Sequence, residues 1–473
     1  MPNHLSAESD PQVILPKQKD SLDHSSQTRR NSRRRKVFIL GLIFLSAFGS
    51  RLLGWQHQRF EARQVQFIVT ENYKQLARLL LQNGFGSFFD ASSTTSDPDL
   101  LGHPPGYSLL LALIFRLAGE SDVAVQLFQM ICDSLAAVII FFIASELLPL
   151  GVGVIAGLMG AFAPQFSWNS ILLLPDTLAA LPILLAVYFI ARACKRGRLF
   201  TVCAAGALVG ISCWLRANAL LLAPFLALLL PIVVRRGLRL KMALAFIGGA
   251  CLTIGSLTTR NAVVFGHFIP VSLGAGQTLL EGIADYDETR RFGVPDTDLE
   301  LIKQEAEAYQ RPDYALTLFG PDAIKRDRVR LARGFAIVRD HPFWFFTVMI
   351  RRAGSMWRLE RAPLMSTSNT SEGWTRPAAL VVGGIQRLFI TAVVLPLVVA
   401  GLILLALGGQ GRLLAILLAI PVYYFCMQSV LHTEYRYVLA IHYFLFVIAA
   451  VAIYRIGCWI RQRLGVRRAL GYS

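Results

Sequence analysis

Apolar residues run along this chain in blocks, with polar residues gathered into two long tracts and several short ones between them. The blocks lie near 37–53, 122–146, 150–170, 177–193, 199–214, 217–234, 242–258, 380–407, 413–430 and 437–459. A helix needs roughly 20 predominantly apolar residues to cross a bilayer. The pattern therefore predicts an all-α polytopic membrane protein with about ten transmembrane helices. One further run, 107–115, is too short to cross; it follows His103-Pro104-Pro105-Gly106 and is broken by Arg116. Proline is well tolerated in the first turn of a helix, so this run predicts a short helix that starts at the prolines and lies in the interface. The alternative is a proline-broken start to the span at 122–146.

The two long polar tracts are 55–121 and 259–379. The second is expected to form a small helical subdomain from "DTDLELIKQEAEAYQ" and "DAIKRDRVRLARGFAIVRDHPFWFFTVMIRR", the latter with apolar residues at helical spacing opposite many arginines. The expected organisation is a disordered basic cytoplasmic tail (1–36), an N-terminal transmembrane module (37–258) that includes the loop 55–121, a large extracytoplasmic loop with interfacial helices (259–379), C-terminal transmembrane helices (380–460), and a second basic tail (461–473).

Composition agrees with a membrane protein. Of 473 residues, 54% are hydrophobic and 16% charged, and the mean hydropathy is +0.51; soluble domains carry about 25% charged residues. The net charge of +17 raises nucleic acid as a partner. The basic residues cluster at the ends of apolar blocks instead, as membrane orientation requires, so no nucleic-acid partner is expected. With the N-terminus inside, the basic loops at 195–198, 235–241 and 409–412 and the C-terminal tail all fall inside too. Both long tracts then face outward. The seven cysteines form no CxxC pair and lie in or beside apolar blocks, which argues against a disulfide framework or a zinc knuckle. No cleavage site follows the first block, so an uncleaved first span is expected.

Polar residues at the outward ends of the blocks are the candidates for chemistry. Glu71 and Tyr73 open an amphipathic segment after the first span. Asp90, Asp97, Asp99 and His103 follow in a turn-rich stretch, just before Tyr107. Asp176 heads one span behind Pro175, and Arg216 lies between two. Arg260, Asn261 and His267 stand where the seventh span ends, and His432, Glu434, Arg436 and Tyr437 open the last. Each has a plainer reading: Glu71 and Asp176 as helix caps, the other aspartates as turn residues, Arg216 as a lipid-headgroup anchor. Together they make an inventory of arginines, which match phosphate through a planar fork of donors, and carboxylates suited to a general base or a metal ligand.

At these residues the chain resembles the C-type glycosyltransferases, in particular the bacterial branch with the aminoarabinose transferases of lipid A and the protein O-mannosyltransferases. The stretches "ENYKQLARLLLQNGFG", "HPPGYSLLLALIFRLAG", "LLPDTLAALPILLAVYFIARA", "GALVGISCWLRANALLLAPF", "TTRNAVVFGHFIPVSLGAGQTLLEG" and "HTEYRYVLAIHYFLFVIAA" carry the likeness, in order, over most of 37–460. The resemblance implies transfer of a sugar from a polyprenyl-phosphate-linked donor to an extracytoplasmic acceptor: lipid A, a polysaccharide, a protein or another lipid. It places Glu71 as base or metal ligand, with Asp90, Asp97 and Asp99 as alternatives. It sets Arg260, Arg216 and Arg436 on the donor phosphate, and Tyr73, His103, Tyr107, Asp176, Asn261, His432 and Tyr437 around the substrates. Whether a divalent metal ion assists stays open. The family commonly has aspartate where Glu71 stands, and proline at Ala217, Ala440 and His442. The implied setting is a bacterial inner membrane, with both termini cytoplasmic and membrane lipids as neighbours. The main rival is a transporter or flippase of a lipid-linked or anionic substrate.

Overall fold

A computed structural model describes residues 17–234, 236–360, 362–364 and 375–469. Its helices are α1 (Lys17–Gln64), α2 (Phe67–Asn83), α3 (Gly106–Ala118), α4 (Asp122–Leu147), α5 (Leu150–Phe162), α6 (Pro164–Ile171), α7 (Asp176–Arg196), α8 (Leu199–Leu215) and α9 (Leu222–Val233). They continue as α10 (Arg239–Phe265), α11 (Ala275–Ala284), α12 (Asp298–Tyr309), α13 (Ala323–Asp340), α14 (Pro342–Ser355), α15 (Thr375–Gln386), α16 (Thr391–Leu407), α17 (Gly411–Val430) and α18 (Leu439–Ala469). Among the described residues there is no strand. By its contacts the chain divides into two units, Met1–Leu42 and Ile43–Ser473. The described part of the first is the opening length of α1, which starts at Lys17, inside the segment expected to be a disordered tail; residues 1–16 lie outside the described ones.

Among the described residues six helices are long and apolar enough to cross a membrane, or eight if each of two bent pairs is one span. Ten were expected. The shortfall comes from α8 and α9, which at 17 and 12 residues and a rise of about 1.5 Å per residue are shorter than a typical hydrocarbon core. The expected single span at 150–170 is a bent pair, α5 and α6, turned by 49° at Ala163-Pro164. The helix predicted behind Pro104-Pro105 is α3, separated from α4 by Gly119 at φ 73° and capped off by Ser121, whose hydroxyl accepts from the Ala124 N–H.

The second unit is organised around α18, in which every residue from Leu439 to Ala452 is buried. A helix apolar on all sides belongs at the centre of a bundle. The break between α5 and α6 frees backbone carbonyls, and a buried arginine takes them. Arg51 donates to Gly160 O, Ala161 O and Ala47 O, and its Nε pairs with Asp133 Oδ2 at 2.6 Å. Tyr443 donates to the other Asp133 oxygen at 2.7 Å and stacks on Phe166 with ring centroids 3.8 Å apart. Charges at this depth are expensive unless fully paired, and here each carboxylate oxygen has a donor. The network ties α1, α4, the α5–α6 break and α18 together.

Helices α8 and α10 approach closely through glycines. A Cβ on Gly206 would sit 1.9 Å from Phe246 O, and one on Gly249 1.9 Å from Cys203 O; small residues let apolar helices pack without a water-driven force between them. The tract 259–379 carries α11 to α14 and a small core of its own, with Leu279, Leu280, Ile283, Leu301 and Phe345 buried. Glu305 of α12 bridges Arg326 and Arg330 of α13, and Asp327 accepts from the N–H groups of Gly274 and Gly276 at the start of α11.

Candidate functional site

The site forms where α7 begins. After α6 the chain runs through Leu172-Leu173-Leu174-Pro175, all buried and none helical. Buried carbonyls need donors, and side chains from two other helices supply them. Gln126 Nε2 donates to Ile171 O, Gln129 Nε2 to Leu172 O and Ser170 O, and Thr70 of α2 to Leu173 O. This frame fixes Asp176 at the first turn of α7, where the helix dipole favours a negative charge.

Arg216, at the end of α8, gives Nε and Nη2 to Asp176 Oδ1 at 2.8 and 2.5 Å. The second carboxylate oxygen, Oδ2, is buried with no partner. Arg216 lies over the Tyr437 ring, 4.4 Å from its centroid. Beside it Arg436, 4% exposed, gives Nη2 to Glu434 at 2.6 Å, while its Nε and Nη1 are buried and unpartnered. Tyr73 of α2 completes the arrangement: its ring stacks on His103 and meets Tyr107 edge-on, each 5.0 Å away, and its hydroxyl is buried without a partner. Tyr107 donates to Gln129, which ties it to the same frame. Burial, then the charges of Arg216 and Arg436, push the His103 pKa down to about 3, so the ring is neutral at pH 7. Burial raises the Tyr73 hydroxyl well above the usual range.

Seven of the residues expected from the sequence therefore meet: Tyr73, His103, Tyr107, Asp176, Arg216, Arg436 and Tyr437. Others lie elsewhere. Glu71 sits on the opposite side of α2 from Tyr73, in a half-exposed ion-pair group with Lys74 at 3.3 Å and Arg78 at 3.2 Å. Asp90 accepts from the N–H and hydroxyl of Ser92, is exposed, and those bonds lower its pKa. Asp97 caps the turn at Pro98 through the Asp99 N–H, and Asp99 accepts from Gly320, joining the two polar tracts. Arg260 stacks 4.0 Å over Phe88 and donates to Phe88 O and Asn261, leaving Nη2 buried and unpartnered. Asn261 donates to Ile269 O and Val271 O. His432 pairs with Asp285 at 2.8 Å beside the α11 core. Among the described residues no group of three or more His, Cys, Asp or Glu side chains is placed to hold a metal ion.

Next to the charged cluster opens an apolar groove of about 500 Å³, lined by Gly106, Leu109, Leu178, Leu181, Trp214 and Leu215. Gly106 precedes Tyr107, Leu178 lies two residues after Asp176, and Leu215 precedes Arg216. The groove is thus lined by sequence neighbours of Tyr107, Asp176 and Arg216.

Solved structures share this arrangement of helices. An oligosaccharyltransferase, AglB from Archaeoglobus fulgidus, in complex with an inhibitory peptide and a dolichol-phosphate, matches 93% of this chain and 52% of its own at 15% identity, with a TM-score of 0.53. The apo form of the oligosaccharyltransferase from the same organism matches 92% of this chain and 52% of its own at 14% identity, with a TM-score of 0.52. The chain shares the fold of these oligosaccharyltransferase structures. This chain spans about half the length of those structures. ArnT from Cupriavidus metallidurans, bound to undecaprenyl phosphate, aligns over 88% of this chain and 76% of its own at 13% identity, with a TM-score of only 0.35. Residues 102–257, about a third of the chain, match the family described as dolichyl-phosphate-mannose-protein mannosyltransferase. No curated protein matches the sequence. The chain is a multi-pass membrane protein with this fold.

Proposed function

We propose that the chain is an integral-membrane glycosyltransferase that moves a sugar from a polyprenyl-phosphate-linked donor to an acceptor on the extracytoplasmic side of a bacterial inner membrane. Both termini would then be cytoplasmic. One observation carries the reading: a buried carboxylate oxygen and two buried guanidinium N–H donors, all unpartnered, belong to a cluster whose neighbours in sequence, Gly106, Leu178 and Leu215 among them, line an apolar groove. A lipid phosphate with a long apolar tail satisfies both halves at once, because the tail fills the groove and the phosphate accepts from Arg436.

The base is assigned to Asp176 rather than Glu71, whose carboxylate is already held by Lys74 and Arg78. Oδ1 of Asp176 is fixed by Arg216, which leaves Oδ2 to take the proton of an acceptor hydroxyl as that oxygen attacks the anomeric carbon. The lipid phosphate leaves, and Arg436 stabilises the charge that grows on it. Such stabilisation is strong in a site that excludes water. Direct displacement inverts the anomeric centre. The hexosyl or pentosyl nature of the sugar follows from the assay below. The HPPGY stretch that carried part of the sequence resemblance supplies Tyr107 and the wall of the groove. Lipid A, a polysaccharide, a protein and a second lipid are the acceptor classes to test.

The deciding experiment is mass spectrometry of envelope glycans and lipids from cells with and without the chain, and with Asp176→Asn. Loss of one sugar from an envelope glycan, with its polyprenyl-phosphate form accumulating in both altered strains, names the acceptor. An unchanged glycan profile refutes the proposal, and accumulation of the lipid-linked sugar with no outward-facing pool makes the chain a translocator instead.

A further inference from the structure

Four charged groups act on the Tyr437 hydroxyl: Arg216, Arg436, Glu434 and Asp176. Asp176 takes the acceptor's proton, Arg216 holds Asp176, and Arg436 faces the phosphate. Glu434 takes no part in the transfer itself. It stands between α17 and the short helical turn Tyr435–Val438, with its side chain 30% exposed. Three donors converge on its Oε1: Arg436 Nη2 at 2.6 Å, Gln66 Nε2 at 3.3 Å and the Tyr437 hydroxyl at 3.4 Å. Gln66 is the exposed residue at the junction of α1 and α2.

Holding Arg436 does not require a charge, since a neutral amide oxygen would also accept from Nη2. What the carboxylate adds is one negative charge. With it these four groups cancel, two against two; without it they would carry one net positive charge. Donor and product differ in this same respect. A polyprenyl-phosphoryl sugar is a phosphodiester with a single negative charge. The departing lipid phosphate is a monoester, and a second pKa of about 6 leaves it mostly dianionic at neutral pH. Transfer puts the acceptor's proton on Asp176. Once that proton passes to water, the dianion faces two carboxylates. Repulsion between like charges grows in proportion to the ligand's charge and is weakly screened in a part-buried site.

We propose that Glu434 sets the charge preference of the site: it holds Arg436 for the singly charged donor and expels the doubly charged lipid phosphate after transfer. The proposal rests on the transferase reading above. It makes Glu434 a specificity-determining residue, not a catalytic one.

The test uses the purified full chain in detergent at pH 8, with two sugar-free lipids of equal chain length: polyprenyl phosphate and polyprenyl methyl phosphate. The methyl diester is fixed at one negative charge, so the ratio of the two affinities reads charge preference. His432, paired with Asp285 at 2.8 Å, is a further titratable neighbour of Glu434; a single pH keeps its charge common to both lipids. Glu434→Gln keeps an acceptor for Arg436 and should shift the ratio about tenfold or more toward polyprenyl phosphate, while Glu434→Asp should stay within about threefold of wild type. Gln66→Lys sets a cation beside Glu434 from an exposed position and should shift the ratio in the same direction, which keeps the test decisive where Glu434→Gln fails to fold. In the transfer assay, Glu434→Gln should be inhibited by polyprenyl phosphate more strongly by a similar factor, and should lose more steady-state than single-turnover rate. A residue that only braces Arg436 would weaken both lipids alike and leave the ratio unchanged. That outcome, or a shift that Glu434→Asp shares, overturns the proposal. If wild type binds neither lipid, the transferase reading itself falls, and this inference with it.

Discussion

Asp176→Asn separates the structural and chemical uses of the Asp176–Arg216 pair. The wild-type Oδ1 takes two N–H donors from Arg216, and the two side chains are 4% and 16% exposed. Removing one charge of a buried pair strands the other, at about 3–5 kcal/mol. The amide keeps one acceptor oxygen, which places the expected loss near the lower end, about 3 kcal/mol. The chemical loss is of a different kind. An amide takes no proton, and a positioned base is worth roughly 10²- to 10⁴-fold in rate. Combining the change with Arg216→Met leaves no stranded charge, so the double variant should regain most of the stability and none of the turnover. The assays are thermal unfolding of the purified full chain and single-turnover transfer from a polyprenyl-phosphoryl sugar. Turnover within about threefold of wild type in Asp176→Asn refutes the assignment of the base. Recovery of turnover in the double variant shows that the pair serves only to hold α7 against α8.

Glu71→Gln should change turnover by no more than about threefold, because Glu71 serves a half-exposed ion-pair group away from the Asp176 cluster, of the kind worth up to about 1 kcal/mol; a loss of a hundredfold or more would return the base to Glu71. Arg51→Met should destabilise the chain by about 3–5 kcal/mol, since it leaves Asp133 charged and buried and frees the carbonyls of Gly160 and Ala161; an unfolding temperature equal to wild type contradicts the role given to that network. Burial, then the neighbouring Asp298 carboxylate, raise Glu281 from its ordinary value near 4.5 to about 8, with His432 and Gln277 acting in the opposite direction. The folded state then holds a proton that the unfolded chain releases, so stability should fall from about pH 4.5 to 8, and Glu281→Gln should flatten the profile of unfolding temperature against pH.

The seven residues that meet at the site were legible because each is polar at the end of an apolar block, a place where ionisable groups cost energy and are kept for a reason. Their convergence was not legible, since it depends on how α2, α3, α7, α8 and the start of α18 pack. Glu71 shows where the reading stopped short. Thr70, Tyr73, Lys74 and Ala77 are the buried stripe of α2, spaced i, i+3, i+4 and i+7 as one helical face requires; Glu71 falls off that stripe, and the phase alone would have turned it away from the site. Arg51 and Asp133 were open to the same kind of notice, as charges inside apolar blocks.

The α5–α6 break explains why the site is where it is. An uninterrupted helix over 150–170 would have kept its own carbonyls paired and offered nothing to its neighbours. Because Pro164 lacks an N–H and disfavours the helical conformation of the residue before it, the chain turns at Ala163, and carbonyls on both sides of the turn need donors. Those before it are taken by Arg51, which sets α1 and α4 against the bundle. Those after α6 are taken by Gln126, Gln129 and Thr70, which draw α2 down onto the spans and hold Asp176 at the head of α7. The same short helix also carries Gln165 to a small cavity that His442 lines as well. One broken span thus places the carboxylate and the aromatic wall from α2 and α3 around the single turn that bears Arg436. Straightening it with Pro164→Ala would be expected to disturb all of these together, whereas a change at any one of the side chains should disturb only its own.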